Sequence, residues 1–113
     1  MVVDDDEMIR RLLRTVLEVD ELEVVEARDG EQALELAQSA DPAVVVLDVM
    51  MPGIDGVEVC RRLDHAAVKV IVLTARDDPR LEKLCRDAGA DAFLTKPFSS
   101  AKLLDMVADL LPK

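Results

Sequence analysis

The chain has 113 residues, half of them apolar, and carries 24 acidic against 14 basic residues, for a formal net charge of −10. This length suits one domain, and the presence of only two aromatic residues, Phe93 and Phe98, indicates an aliphatic core of helices packed on a sheet. Because the negative charge is spread along the chain and repels phosphate backbones and anionic lipid, it disfavours direct binding to nucleic acid or to a membrane.

The cysteines and the absence of long apolar runs indicate the cellular compartment. No signal peptide precedes the first acidic residues, and no apolar run approaches the ~20 residues of a membrane span. Cys60 and Cys85 stand in helix-like segments outside any CxxC pattern, which favours two buried thiols over a disulfide or a metal pair. A cytoplasmic location is expected.

The first half of the chain alternates apolar runs with helical periodicity. Ile9, Leu13 and Val16 fall on one face of a helix, and Asp6 is placed to cap its start. The predicted elements are a strand over residues 1–3, this first helix, a strand over 22–27, a helix over 30–40 ended by Asp41-Pro42, and a strand over 44–47.

The second half continues the same alternation. After a loop containing Pro52, Gly53 and Gly56, the predicted elements are a helix over 57–63, a strand over 70–73, a helix from an Asp78 cap to a stop at Gly89, a strand over 92–94, and a last helix capped by Ser99 or Ser100. Five strands alternating with five helices predict a parallel sheet covered by helices on both faces.

Five polar residues come at the ends of the predicted strands. Asp4 and Asp5 follow the first, Asp48 ends the third, Thr74 ends the fourth and Lys96 follows the fifth. Taken singly, these are ordinary turn acids, a strand-end hydroxyl and a surface lysine. Ligands of such sheets bind outside the carboxyl ends of the strands, so the five side chains together predict a site at one edge.

The chemistry of these residue types points to phosphoryl transfer. Three carboxylates at one edge repel one another unless a cation lies among them, and oxygen-only ligands in an open cleft favour Mg²⁺. A lysine and a threonine hydroxyl can neutralise and position the oxygens of a phosphoryl group. Asp48, on the central strand, is the candidate nucleophile.

Four motifs make the chain resemble, from end to end, the receiver domain of bacterial two-component response regulators. They are VVDDDE, VVVLDVMMPGIDG, VIVLTAR and GADAFLTKPF. Their shared pattern is an acid pair, an Asp followed by MPG and DG, a Thr-Ala and a Lys-Pro. The resemblance implies one receiver domain over residues 1–113, with an α/β, flavodoxin-like (βα)5 three-layer sandwich and a parallel five-stranded sheet in the order 2-1-3-4-5.

The resemblance also implies a role for each acid. Asp48 is expected to accept a phosphoryl group and, with Asp5, to ligate Mg²⁺ through its side chain. The backbone carbonyl of Met50 is expected to add a third oxygen, and Asp4 to act largely through water. Lys96 is expected to contact the phosphoryl oxygens and the Asp48 carboxylate.

A conformational switch is implied as well. Thr74 is expected to hydrogen-bond the phosphoryl group and Phe93 to turn inward as Thr74 moves, while Pro97 follows a cis peptide bond. A phosphoryl group adds negative charge and hydrogen-bond acceptors, so a hydroxyl that shifts toward it gains a hydrogen bond. The shift leaves a space behind the hydroxyl. The alternative interpretation of Phe93 is a core aromatic residue with one rotamer.

The implied partners are a sensor histidine kinase or phosphotransfer protein as donor and an unknown output domain or protein. The receiver is expected to be a monomer or a phosphorylation-dependent dimer. The DNA-binding subclass usually dimerises through a charge network. Here "GADAF" has a single acid and the last helix offers only Lys102 before Lys113, which disfavours that type of dimer.

Three rival functions fit part of this pattern. An aspartate-nucleophile phosphatase or phosphotransferase would use the same carboxylates, but those families carry a second Asp two residues after the nucleophile, where this chain has Met50. A receiver-like binding module that no longer switches is expected to have lost an acid or the lysine. Nucleotide binding on such a sheet is disfavoured, because the chain has neither a GxGxxG motif nor a P-loop. The chain is therefore expected to be a signalling switch that catalyses only its own phosphorylation and dephosphorylation.

Other features are expected to be structural. His65, the only histidine, is predicted to be a surface loop residue, and Asp55 a turn former. The first strand, residues 1–3, is shorter than the family normally has, although this topology makes it central.

Overall fold

The protein is described by a computed structural model that covers residues 1–18, 23–40, 42–50 and 55–111. Its strands are β1 (Val2–Val3), β2 (Glu26–Ala27), β3 (Val44–Leu47), β4 (Lys69–Thr74) and β5 (Ala92–Thr95). Its helices are α1 (Glu7–Glu18), α2 (Gly30–Ser39), α3 (Gly56–Arg62), α4 (Pro79–Asp87) and α5 (Ser100–Leu110). None of these helices has the length and apolar character needed to cross a bilayer.

All five strands pair in parallel, in the order β2-β1-β3-β4-β5. The flavodoxin-like α/β fold predicted from the sequence is confirmed. The two-residue β1 is paired on both sides, with Val2 opposite Glu26 and Val46. Backbone bonds extend this pairing beyond the strand, because Asp48 N donates to Val3 O at 3.0 Å. A short strand is sufficient at the centre since both neighbours satisfy its backbone groups.

The apolar runs of β3 and β4 are continuous because both faces of the sheet are covered. Val45 and Val70 point into one core cluster, which also contains buried residues of α2, α3 and α4. Val46 and Ile71 point into the other, which contains buried residues of α1 and α5. The result is three layers, with the sheet in the middle.

Short polar side chains cap the helices, as the sequence predicts for three of them. Asp6 accepts a hydrogen bond from the Met8 amide, Asp78 caps α4 and Ser99, not Ser100, caps α5. Asp29 caps α2 in the same way, and Asp55 caps α3 by accepting from the Val57 amide at 2.8 Å. Each cap satisfies an amide that the helix leaves free.

Several predicted boundaries differ from the observed ones by a residue or two, and β2 differs by more. The strand predicted over 22–27 is reduced to Glu26–Ala27, because its partner β1 has two residues and offers no longer ladder. Gly56, predicted as loop, opens α3. The predicted positions 22, 41, 52 and 53 lie outside the described residues.

His65 lies in a turn, as predicted, but it is less exposed than a surface residue. The ring is half-buried, and its Nε2 donates to the Cys60 carbonyl across 2.6 Å. It lies against Gly89, whose φ is +110°, and a Cβ at that glycine would come within 2.5 Å of Nε2. The ring therefore fills the space that the missing side chain leaves, a contact between distant residues that no local pattern reveals.

The two cysteines are free and buried, as predicted. Cys60 lies in α3 and Cys85 in α4, and both belong to the same core cluster. Burial raises the pKa of the Cys60 thiol to about 11, because the apolar surroundings disfavour the thiolate.

We expect Leu103→Ala to lower the free energy of unfolding by about 3 kcal/mol, since Leu103 is fully buried in the α5 side of the core and its loss leaves a cavity. Leu84→Ala is the matched control, because Leu84 is 52% exposed on α4 and its removal is expected to cost less than about 0.5 kcal/mol. Urea denaturation followed by circular dichroism measures both. Equal losses would contradict the assignment of Leu103 to the core.

Candidate functional site

Three of the predicted site residues meet at the carboxyl edge of the sheet. Asp4 follows β1, Asp48 follows β3 and Lys96 follows β5. The ammonium of Lys96 donates to Asp4 Oδ2 at 3.0 Å and to Asp48 Oδ2 at 3.3 Å. Parallel strands end at one edge, so residues separated by 92 positions come into contact.

Backbone hydrogen bonds hold these residues in place. Asp4 N donates to Ala27 O at 3.2 Å, and Lys96 N donates to Thr74 O at 2.7 Å. The sheet therefore continues one step past the strands, and the site residues stand on the rigid ladder and not on free loops. Rigid support of this kind holds a constellation of side chains in a fixed geometry.

The carboxylates of Asp4, Asp5 and Asp48 form one cluster, with a ligand oxygen of each within 4.8 Å of the others. Asp4 and Asp48 are buried, whereas Asp5 is exposed. Oxygen donors at such separations are the ligands that hard divalent cations prefer. The cluster could hold a metal ion, because a divalent charge would offset the repulsion that Lys96 alone offsets in part.

The turn after β3 orients Asp48. Its Oδ1 accepts a hydrogen bond from the Met50 amide at 2.8 Å, while Oδ2 faces Lys96. Gly56 at the start of α3 packs against the same turn, since a Cβ there would lie 2.3 Å from Val49 Cα. A glycine is required at this position because the two backbone segments approach too closely for any side chain.

Burial and the neighbouring charges have opposing effects on the pKa values of Asp48 and Lys96. Burial raises the pKa of Asp48, and the Asp4 charge adds to that, although the Met50 amide and the Lys96 ammonium act in the opposite direction. Burial lowers the pKa of Lys96, but hydrogen bonding and attraction to Asp4 and Asp48 outweigh it, so the pKa is raised overall. The lysine is therefore charged at neutral pH, beside a carboxylate whose ionised form is disfavoured.

Thr74 and Phe93 lie on the neighbouring strands. Thr74 ends β4 and is fully buried, and its hydroxyl oxygen accepts a hydrogen bond from the Arg76 amide at 3.3 Å. Phe93, on β5, is half-buried and packs against the cluster that contains α2, α3 and α4. Among the described residues, no hydrogen bond joins the Thr74 hydroxyl to Asp48 or Lys96. The peptide bond between Lys96 and Pro97 is cis.

Sequence reasoning did not identify Arg10 as a neighbour of this site. Its Nη1 donates to the Asp4 carbonyl at 2.7 Å, and its Nε donates to Glu26 at 3.3 Å. The available signal was its spacing, four residues after the cap Asp6, because helical side chains lean back toward the amino terminus. A long side chain at that position covers the turn that carries the acids.

A five-stranded parallel sheet with acids and a lysine at its carboxyl edge fits the receivers, a class of signalling switches. The family model described as "Response regulator receiver domain" matches residues 1–108, and the chain belongs to that family. It is 46% identical over 113 residues to the response regulator MprA of Mycolicibacterium vanbaalenii, and 45% identical to that of Mycobacterium ulcerans. Both alignments cover 98% of this chain and 49% of the relative.

Solved structures are similar over almost the whole chain. The chemotaxis protein CheY4 of Vibrio cholerae has a TM-score of 0.90 at 31% identity, covering 97% of this chain and 95% of that one. The receiver domain of the Francisella response regulator 1452 has a TM-score of 0.87 at 34% identity, covering 96% and 92%. The chain thus covers more than nine-tenths of each of these two structures but about half the length of the curated relatives it matches.

We expect Asp48→Asn to raise the free energy of unfolding by about 1 kcal/mol at pH 7 in the presence of a chelator, as removal of an unfavourable functional group commonly does. The folded state holds the Asp48 proton to a higher pH than the unfolded state, whose carboxyl value is the ordinary 3.8. Ionisation of Asp48 therefore costs stability as pH rises above that value. The advantage of the asparagine should vanish as pH falls below about 4.

Denaturation curves from pH 3 to pH 7 test this expectation. The exposed Asp109 of α5 supplies the matched control, because Asp109→Asn is expected to change stability by less than about 0.5 kcal/mol at each pH. A destabilised Asp48→Asn variant at pH 7, or a gain that persists unchanged at pH 3, would contradict the electrostatic description of the site.

Proposed function

We propose that this receiver accepts a phosphoryl group on the Asp48 carboxylate, with Mg²⁺ as cofactor. The single observation that supports the proposal most is the placement of Asp48. It is a buried carboxylate at the end of the central strand, within hydrogen-bond distance of Lys96 and beside two further acids. The raised pKa of Asp48 supports it too, because its surroundings stabilise the carboxylate less than water does and so leave it more reactive.

The chemistry follows from the charges. A carboxylate oxygen of Asp48 attacks the phosphorus of a phosphohistidine, the new O–P bond forms as the N–P bond breaks, and the imidazole leaves with the electron pair and takes up a proton. Mg²⁺, when bound by Asp5 and Asp48, the Met50 carbonyl and Asp4 through water, would neutralise the phosphoryl oxygens. Lys96 would contact those oxygens from the other side.

Return to the resting state is hydrolysis of the acyl phosphate by water, which restores the carboxylate and releases phosphate. No separate substrate is turned over, so the receiver acts as a switch and not as an ordinary enzyme. The rival phosphatase reading needs an acid two residues after the nucleophile. Met50 stands there, 47% exposed, and a thioether cannot exchange a proton.

The switch would be the response of Thr74 and Phe93 to the new charge. The buried Thr74 hydroxyl would move toward the phosphoryl oxygens and the half-buried Phe93 would take the vacated space. The partners we propose are a sensor histidine kinase or phosphotransfer protein and an output domain or protein, in the cytoplasm. The relatives named MprA are about twice as long as this chain, which supports an output region in the same polypeptide for those proteins. A monomer or a phosphorylation-dependent dimer is proposed for this one.

Incubation with Mg²⁺ and a small-molecule phosphodonor such as acetyl phosphate should add one phosphoryl mass. Asp48→Asn and chelation by EDTA should each abolish the addition. Intact-mass spectrometry measures it. Asp55→Asn is the matched control, since Asn caps a helix as well as Asp does and should leave the mass gain intact. An unchanged mass in the native chain with Mg²⁺ and the phosphodonor present would contradict the proposal.

The switch can be followed with fluorine, because Phe93 and Phe98 are the only phenylalanines and the chain has neither Tyr nor Trp. A fluorophenylalanine-labelled chain should give two ¹⁹F resonances, assigned with Phe98→Leu. Phosphorylation should shift the Phe93 resonance. Thr74→Val keeps the shape but removes the hydroxyl, so it should reduce that shift at least fivefold while the mass gain remains.

Thr95→Val is the control for this experiment, because Thr95 pairs with Thr74 across β4 and β5 and has no proposed role. Its Phe93 resonance should shift as in the native chain. A full shift in phosphorylated Thr74→Val would show that the hydroxyl does not couple the two residues.

A further inference from the structure

We infer that Arg10 is a positioning residue for metal binding, acting through the peptide bond that joins Asp4 to Asp5. The inference rests on the proposed function in one respect, that these acids hold a divalent cation. Arg10 Nη1 donates to the Asp4 carbonyl at 2.7 Å. That carbonyl and the Asp5 amide belong to one planar unit, so the guanidinium sets the direction in which the chain leaves for Asp5.

Asp5 depends on this restraint more than Asp4 does. The Asp4 side chain is anchored at both oxygens, because Oδ1 accepts from the Asp6 amide at 2.9 Å and Oδ2 accepts from Lys96 at 3.0 Å. Asp5 is exposed to solvent and belongs to the carboxylate cluster. The place of Asp5 in the cluster therefore depends on its backbone, which the Arg10 guanidinium holds together with the Asp6 amide.

Arg10 is itself held by a second strand. Its Nε donates to Glu26 Oε1 at 3.3 Å, and the other oxygen of Glu26 accepts from Arg14 at 2.7 Å. The Arg10 side chain is only 15% exposed. The planar guanidinium spans two acceptors at once, Asp4 O and Glu26, which a lysine cannot do with one nitrogen in the same geometry.

Charge and position make opposite predictions for the loss of this residue. The positive charge of Arg10 repels a divalent cation, so on charge alone its removal would tighten metal binding. Removal of the restraint on the Asp4–Asp5 peptide would weaken it, because the ligand would have to be ordered when the ion binds. The sign of the change therefore identifies the role.

The test is a titration of the full chain with Mn²⁺ alone, followed by electron paramagnetic resonance without any phosphodonor. Arg10→Met is expected to weaken Mn²⁺ binding on the order of tenfold. Arg10→Lys keeps the charge but loses the guanidinium that donates to two acceptors, so it should bind Mn²⁺ as weakly as Arg10→Met. Arg11→Met is the matched control on the same turn, because Arg11 is 74% exposed and pairs with Glu7, and it should stay within about twofold of native affinity.

Unchanged or tighter binding in Arg10→Met would overturn the inference, as would native affinity in Arg10→Lys. Should Arg10→Met fail to fold, Arg10→Lys carries the test alone, since it keeps the charge and loses only the two-pronged contact with Asp4 O and Glu26. On charge alone Arg10→Lys would leave the affinity unchanged, and that result would overturn the inference. A native chain that binds no Mn²⁺ would instead count against the proposed metal site itself, as would phosphorylation that persists in EDTA.

Discussion

The site depends on one cation, the Lys96 ammonium held between the carboxylates of Asp4 and Asp48. Two buried carboxylates at a sheet edge would each cost several kcal/mol if left unpaired, in a chain whose net charge is already −10. The lysine offsets this repulsion but does not abolish it, since the pKa of Asp48 is still raised by burial. The acidic edge is thus kept incompletely neutralised, which is the condition under which a divalent metal ion would be bound favourably.

The fold makes that arrangement possible because its five strands are parallel. Lys96 reaches the acids from β5, two strands away from β3, only because all strands end at one edge. The two-residue β1 lies between β2 and β3 and carries Asp4 directly into the cluster. Its brevity leaves the following turn in need of other support, which the Asp6 amide and the Arg10 guanidinium provide.

Much of this was predictable from the sequence, and the exceptions have a common cause. The runs of β3 and β4, the Asp78 and Ser99 caps and the buried thiols follow from local patterns, and the structure has them. The length of β2, the packing of His65 against Gly89 and the contact of Arg10 with the Asp4 carbonyl were missed. Each of these depends on a partner far along the chain, whose position no local periodicity records. The functional roles of the site residues stay predictions: Asp48 as acceptor, Asp4, Asp5 and the Met50 carbonyl at the metal, Lys96 at the phosphoryl oxygens, and Thr74 and Phe93 in the switch.

The sequence by itself determined which residues could form the site and at which edge they would lie, because the apolar runs mark where each strand ends and parallel strands end at one edge. Only the tertiary structure decided how those residues share charge. It buries Asp4 and Asp48 but leaves Asp5 exposed, it pairs Lys96 with both buried acids, and it places Arg10 behind the turn. These outcomes are set by distances of about 3 Å between side chains from different elements, and packing of the whole domain alone determines such distances.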